Sequence, residues 1–191
     1  MQIITLNSLK GLSNTYIIKN NNKCFIIDSG VTIGAVKNAV ENCTVEGVLL
    51  THAHFDHITY LEDYVKTFNC KVFCSSIAFD KLNKPNKNLS SYFLNDGIVV
   101  EIDNYICLDN ISKITLADTD INIIEIKGHS ECSLGYIIQD NIFCGDVLFE
   151  NAVGRTDFYD GDTKKLEKSI QQIINLAPIN VFSGHGNNFS L

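Results

Sequence analysis

Residues 51–57 read THAHFDH, directly after the apolar run VLL, and hold three of the five histidines in a chain of 191 residues. Chance is a poor explanation for so scarce a residue crowding into seven positions. The run also constrains the local fold. VEGVLL is short and continuously apolar, the pattern of a strand buried on both faces. In extended chain leaving such a strand, His52 and His54 point to one side. Asp56 and His57 follow where the next helix is expected to begin. Two imidazoles, then a carboxylate and an imidazole one turn on, can serve two neighbouring divalent ions. The donor set suits zinc, iron or manganese.

Such a cluster draws its remaining donors from distant sequence. His129 lies in KGHS, just past the β-rich INIIEI, and His185 lies in SGHG, just past NVF. Asp146 in FCGDVLF repeats the arrangement with a carboxylate. Each follows a β-run and adjoins glycine, which places it on a loop at a strand end. Strand ends that converge on one sheet edge would make every histidine of the chain a ligand candidate.

The remaining pattern supplies both sheets and helices. QIITL, NTYIIK and CFIID read as strands, the last two joined by the turn NNNK. SGVTIGAVKNAVENC carries Val36, Ala39 and Val40 at helical spacing. ITYLEDYVKTF predicts a helix with Ile58, Leu61, Val65 and Phe68 on one stripe. CKVFCS reads as a strand and SIAFDKLN as a short helix, while residues 83–96 are polar and loop-like. ITLADTDINIIEI predicts two strands around DTD, and LGYIIQ with NIFCGD a hairpin over DN. TKKLEKSIQQIINLA predicts a helix burying Leu166, Ile170, Ile173 and Ile174, ended by Pro178, with NVFSG as a last strand. The sum is mixed α and β in layers, helices covering sheet faces. The length fits one domain over residues 1–191.

The net charge of −7 argues against a nucleic-acid or anionic-membrane partner, since either favours a basic face. The seven cysteines are odd in number, with no C-x-x-C pair. MQIITLNSLK lacks the build of a signal peptide, and no apolar run approaches a membrane span. A cytoplasmic protein with reduced, mostly buried thiols is expected. The expected partner is a small-molecule substrate; the sequence does not specify an oligomeric state.

THAHFDH, with GHSECSLGY, CGDVLF and SGHG, resembles the ordered motifs of the metallo-β-lactamase fold superfamily. SNTYII and IIDSG match its opening hairpin, so the resemblance covers nearly the whole chain. Within the superfamily the chain is similar to the glyoxalase II-like small hydrolases, with VGRTDFYDGD and NLSSYF resembling segments of that group. The resemblance implies an α+β fold, a four-layer αββα sandwich with metals at one edge of the two sheets. It implies two divalent ions per chain, zinc foremost, with iron or manganese as alternatives. One would take His52, His54 and His129, the other Asp56, His57 and His185. Asp146 would bridge them beside a shared hydroxide. Asp56 is also the candidate catalytic residue, carrying a proton towards the leaving group. Asp28 lies outside the ligand pattern, as a support for a ligand or for a turn. Arg155 is a candidate to orient an anionic substrate or to pair with Asp157 or Asp162.

The implied activity is hydrolysis of a small ester, thioester or lactone, of the hydroxyacylglutathione hydrolase type. No G-x-S-x-G nucleophile motif is present. The alternative is a mononuclear iron oxidoreductase of the persulfide dioxygenase type, which retains the same residues. Ribonuclease activity is disfavoured by the acidic charge. A secreted β-lactamase is disfavoured by the N-terminus and by Asp146. Two departures from the family pattern matter. GHSECS replaces the usual GHTPGS, placing Cys132 near the site as a redox-sensitive neighbour or an inert buried thiol. The sequence also ends at Leu191, without the helical region that holds glutathione in glyoxalase II. S-lactoylglutathione is therefore expected to be a poor substrate. The polar loop with Lys84, Lys87 and Tyr92 is the other place where glutathione could be held.

Overall fold

The central strands are apolar on both sides, and each side needs its own cover. In the computed structural model, which describes residues 1–8, 11–103 and 105–191, the covers differ. The first sheet runs in the order β1 (Gln2–Leu6), β2 (Thr15–Asn20), β3 (Lys23–Ile27), β4 (Thr44–Leu49), β5 (Lys71–Cys74) and β6 (Tyr105–Cys107). Its first three strands are antiparallel, and β3 to β6 are parallel. The parallel crossovers are made by α1 (Ile33–Val40), then α2 (Phe55–Ile58) with α3 (Leu61–Phe68), then α4 (Ser76–Leu82) with α5 (Ser90–Phe93).

The second sheet contains β7 (Lys113–Leu116), β8 (Thr119–Glu125), β9 (Leu134–Ile138) and β10 (Asn141–Gly145), antiparallel in sequence order. A small hairpin follows, β11 (Leu148–Phe149) and β12 (Ala152–Val153), then α6 (Thr163–Asn175). β13 (Asn180–Ser183) joins β10 in parallel, and β14 (Phe189–Ser190) closes the edge.

Alternation along the strands sorts the side chains into three cores. Tyr16, Ile18, Phe25 and Ile27 point between the sheets, against Tyr136, Ile138, Phe143 and Phe182. Ile17, Cys24 and Ile26 point outwards, where Val36 and Val40 of α1 and Leu61 and Tyr64 of α3 cover them. Ile142 and Val181 meet Leu166 and Ile173 of α6 on the other outer face. The result is the expected four-layer αββα sandwich.

Several local expectations shift. The helix expected over ITYLEDYVKTF is broken at Thr59 and Tyr60, and Tyr64 is buried in the stripe while Val65 and Phe68 are half-buried. The polar stretch 83–96 contains α5. The turn expected at DTD falls instead on Ala117 and Asp118, both at positive φ, so Thr119 and Asp120 already pair in β8. Ile174 is 47% exposed on α6; Ser169 takes the buried place and donates to the Lys127 carbonyl at 2.7 Å. β14 was not expected. Cys24, Cys70, Cys74, Cys132 and Cys144 are buried, and all seven thiols are free. Among the described residues no helix is long and apolar enough to cross a membrane.

The two adjacent isoleucines of α6 give a direct check. Ile173→Ala should cost about 2–5 kcal/mol, as for a buried aliphatic side chain. Ile174→Ala should stay within about 0.5 kcal/mol. Urea denaturation of the two variants measures both.

Candidate metal centre

Four donor-bearing loops leave their strands on the same edge of the sandwich. The chain stays extended beyond β4 through His54, whose φ of −71 and ψ of 149 precede the first turn of α2. Asp56 and His57 therefore sit on that turn. His129 follows β8, Asp146 follows β10 and His185 follows β13. The structure brings all seven predicted donors together, in two groups: His52, His54 and His129, and Asp56, His57, Asp146 and His185.

In the first group three ring nitrogens face one another. His54 Nδ1 lies 3.1 Å from His52 Nε2 and 2.9 Å from His129 Nε2. The outer nitrogens fix the tautomers. His129 Nδ1 donates to the Arg155 carbonyl at 2.9 Å, which leaves Nε2 as a lone pair. Thr51 Oγ1 spends its proton on Asp28, so at 3.2 Å from His52 Nδ1 it accepts, and His52 Nε2 is likewise a lone pair. Two inward lone pairs meet a third ring that can carry only one proton between them. Burial and the neighbouring imidazoles keep these rings neutral. His52 is held well below the usual histidine range, His54 is brought down to about 3, and burial also lowers His129. Neutral, convergent imidazoles are what a divalent cation requires.

The second group is built around carboxylates. Asp146 Oδ1 lies 3.2 Å from His57 Nε2, and its Oδ2 lies 3.4 Å from His185 Nε2 and 3.6 Å from His129 Nε2. One carboxylate thus reaches both groups. His185 Nε2 also lies 2.9 Å from Asp56 Oδ2. Burial disfavours a charged His57, but Asp28, Asp146 and Asp56 outweigh it and hold the ring well above its usual value. His185 follows the same balance, up to about 9, through Asp146 and Asp56. Burial raises the Asp146 carboxyl, but His57 and His185 outweigh it and hold it well below the usual range. His54 Nε2, His57 Nε2 and Asp146 Oδ1 are buried without an aligned hydrogen-bond partner. Buried polar atoms are seldom left so, and the residues fit a metal centre.

Asp28 is the support that the sequence left open between two roles. It has a positive φ of 58 and is 1% exposed. Its carboxylate accepts from Thr51 N at 2.8 Å, Thr51 Oγ1 at 2.7 Å and His57 Nδ1 at 2.8 Å. The last bond fixes the His57 ring with its Nε2 facing Asp146. Two glycines crowd Asp146 from either side. A Cβ at Gly184 would lie 2.0 Å from Asp146 Oδ1, and one at Gly154 would lie 1.9 Å from the Asp146 carbonyl oxygen.

A cavity of about 350 Å³ opens over both groups, with His54, Asp56, His129 and Asp146 in its floor. Arg155 lines it, but its guanidinium is held by Asp157 through bonds of 2.9 and 2.7 Å and lies over Phe158 at 4.6 Å. Asp162 instead caps α6, accepting from Lys165 N. Lys84 and Lys87 pair with Asp80, and neither they nor Tyr92 line the cavity; Leu89 and Phe93 of that loop do. Cys132 lies outside both donor groups, its Sγ 3.2 Å from Ser130 Oγ.

One polar assembly behind the site had no signal in the sequence. Lys81 of α4 is 3% exposed and pairs with Asp160, whose side chain is 5% exposed. Lys81 Nζ donates to Ser130 Oγ at 2.8 Å, and Asp160 Oδ2 accepts from Ser130 Oγ at 2.8 Å and Glu131 N at 3.0 Å. The loop carrying His129 is thereby clamped from behind.

A model of the metallo-beta-lactamase superfamily matches residues 9–185. The chain belongs to that superfamily. It is 26% identical over 180 residues to the probable metallo-hydrolase YqgX of Bacillus subtilis, covering 91% of this chain and 85% of that protein. It is 26% identical over 178 residues to a hydroxyacylglutathione hydrolase of Pectobacterium atrosepticum, covering 91% of this chain and 62% of that protein. Among solved structures, the BLEG-1 B3 metallo-beta-lactamase superposes with a TM-score of 0.91 at 30% identity, over 99% of this chain and 94% of that one.

Two measurements check the supports of this superfamily site. Asp28→Asn should weaken metal retention about 10–100-fold, read by chelator competition, with the far-UV circular dichroism unchanged. Lys81→Met should cost about 3–5 kcal/mol in urea denaturation, because it leaves the Asp160 carboxylate buried and unpaired; the double variant with Asp160→Leu should recover part of that loss.

Proposed function

We propose that the chain is a dinuclear metal-dependent hydrolase of a small ester or thioester. The observation that carries this reading is Asp146, whose Oδ2 lies between His129 of one donor group and His185 of the other, with Oδ1 beside His57, at the floor of one cavity. The relatives support it by name, as a metallo-hydrolase and a hydroxyacylglutathione hydrolase. His52, His54 and His129 would hold one ion and Asp56, His57 and His185 the other, with Asp146 available to both. When bound, two divalent ions supply water of lowered pKa and polarise an acyl carbonyl. Zinc is the first choice, since imidazole and carboxylate are its usual ligands in hydrolytic sites.

The chain's own groups do the rest. Asp28 and the Arg155 carbonyl hold the outer nitrogens of His57 and His129, so the inner nitrogens stay aimed during turnover. Asp146 fixes the separation of the two groups. Asp56, beside His185 in the cavity floor, is held low by His57 and His185 against the effect of burial, and so is ionised at neutral pH. It accepts a proton from the attacking water and delivers it to the leaving thiolate or alkoxide.

Elemental analysis of protein from its native host should give about two transition-metal ions per chain; a single ion in well-loaded protein overturns the dinuclear reading. Asp146→Asn should keep the fold and lose most turnover, because an amide cannot offer two equivalent anionic oxygens. Near-normal hydrolysis by this variant with both metals retained would remove Asp146 from the assigned role. Oxygen uptake with a persulfide, in place of thioester, ester or lactone hydrolysis, would replace the hydrolase with an iron oxidoreductase.

A further inference from the structure

The wall of the cavity is as specific as its floor. Phe55, Leu89, Phe93, Phe149, Val153 and Phe158 line it above the donors. The rings form a connected surface: Phe55 stacks on Phe93 with centroids 5.5 Å apart, and Phe93 meets Phe158 edge-on at 6.3 Å. Phe158 reaches the floor, 5.5 Å from the ring of His54 and 6.0 Å from that of His129. At the rim this surface faces solvent, with Phe93 53% and Val153 52% exposed. Exposed apolar groups that rim a cavity mark a binding surface. Arg155 adds to the wall rather than to an anion site, because Asp157 pairs with its guanidinium, which lies over the Phe158 ring at 4.6 Å.

The two sides of the floor differ. Asp56, which serves the leaving group, stands beside His185. The connected Phe55–Phe93–Phe158 face of the wall instead abuts His54 and His129 through Phe158, while Phe149 alone stands on the other side, 6.4 Å from the ring of His185. We infer that this wall receives the acyl part of the substrate, and that the acyl group is apolar and uncharged: a medium-length alkyl chain or an aryl group attached to the scissile carbonyl. The inference rests on the hydrolase reading above and narrows it. Phe93 and Phe158 are then the specificity-determining residues. Each methylene that leaves water for this wall should raise kcat/KM about fourfold.

The test uses metal-loaded protein and N-acetylcysteamine thioesters, which share one leaving group and differ only in the acyl part: acetyl, butyryl, hexanoyl, phenylacetyl and succinyl. The expected result is a rise from acetyl to hexanoyl, with phenylacetyl high and succinyl well below butyryl. Phe93→Ala and Phe158→Ala should each shrink the hexanoyl-to-acetyl ratio. A flat series, or a preference for succinyl, overturns the inference and leaves the hydrolase reading standing. Binding is read separately, as the rise in melting temperature with acetate, butyrate, hexanoate and succinate. A rise that grows with chain length and is blunted in Phe93→Ala supports the apolar wall even where no thioester is cleaved, an outcome that overturns the hydrolase reading alone. A rise independent of chain length overturns the inference.

Discussion

A buried carboxylate outside both donor groups holds the site together. Asp28 sits where β3 ends, and its amide bonds to the Leu49 carbonyl at the end of β4. Its oxygens then take the Thr51 amide and hydroxyl and the His57 ring. A carboxylate so buried is tolerated only with such compensation. The compensation ties three segments together: the end of β3, the extended chain that carries His52 and His54, and the helical turn that carries Asp56 and His57. Ser29 reinforces it, its amide and hydroxyl both donating to the His57 carbonyl at 2.8 Å.

The other half of the site hangs on the second sheet, and the two sheets are joined at the same edge. Tyr16 of β2 packs against Phe143 and Phe182, and its hydroxyl bonds to the Ser183 carbonyl, two residues before His185. Asn14 Nδ2 adds bonds of 3.2 Å to the Ser183 carbonyl and 3.1 Å to the Gly186 carbonyl. The loop bearing His185 is therefore positioned from the first sheet as well as its own.

Where one local rule governed, the sequence was legible. Short apolar β-rich runs bounded by polar turns placed β2, β3, β9 and β10 within a residue or two, because each of these strands packs on both faces. The donors were legible because imidazoles at strand ends have few other reasons to cluster. Elements set by tertiary contact were harder. Ile174 looks identical to Ile173 in the helical pattern, and only the angle at which α6 meets β10 and β13 decides which is buried. The turn at Ala117 and Asp118 carries no glycine or asparagine to announce its positive φ. The Lys81–Asp160 pair joins residues 79 positions apart, and a lysine on a short helix reads as solvated until the loop after His129 is seen closing over it. The aromatic wall was equally silent, since Phe55, Phe93 and Phe158 come from three segments with no shared period.

The glycines flanking Asp146 bear on how such a centre can be lost. Backbone at 154 and 184 comes so near the aspartate that neither position has room for even a methyl group. Its placement is imposed by two stretches of main chain and not chosen among rotamers. A descendant of this chain could thus keep all seven donors intact and still be inert through a substitution at either glycine. Surveys that judge activity by the donor residues alone would count such a protein as competent.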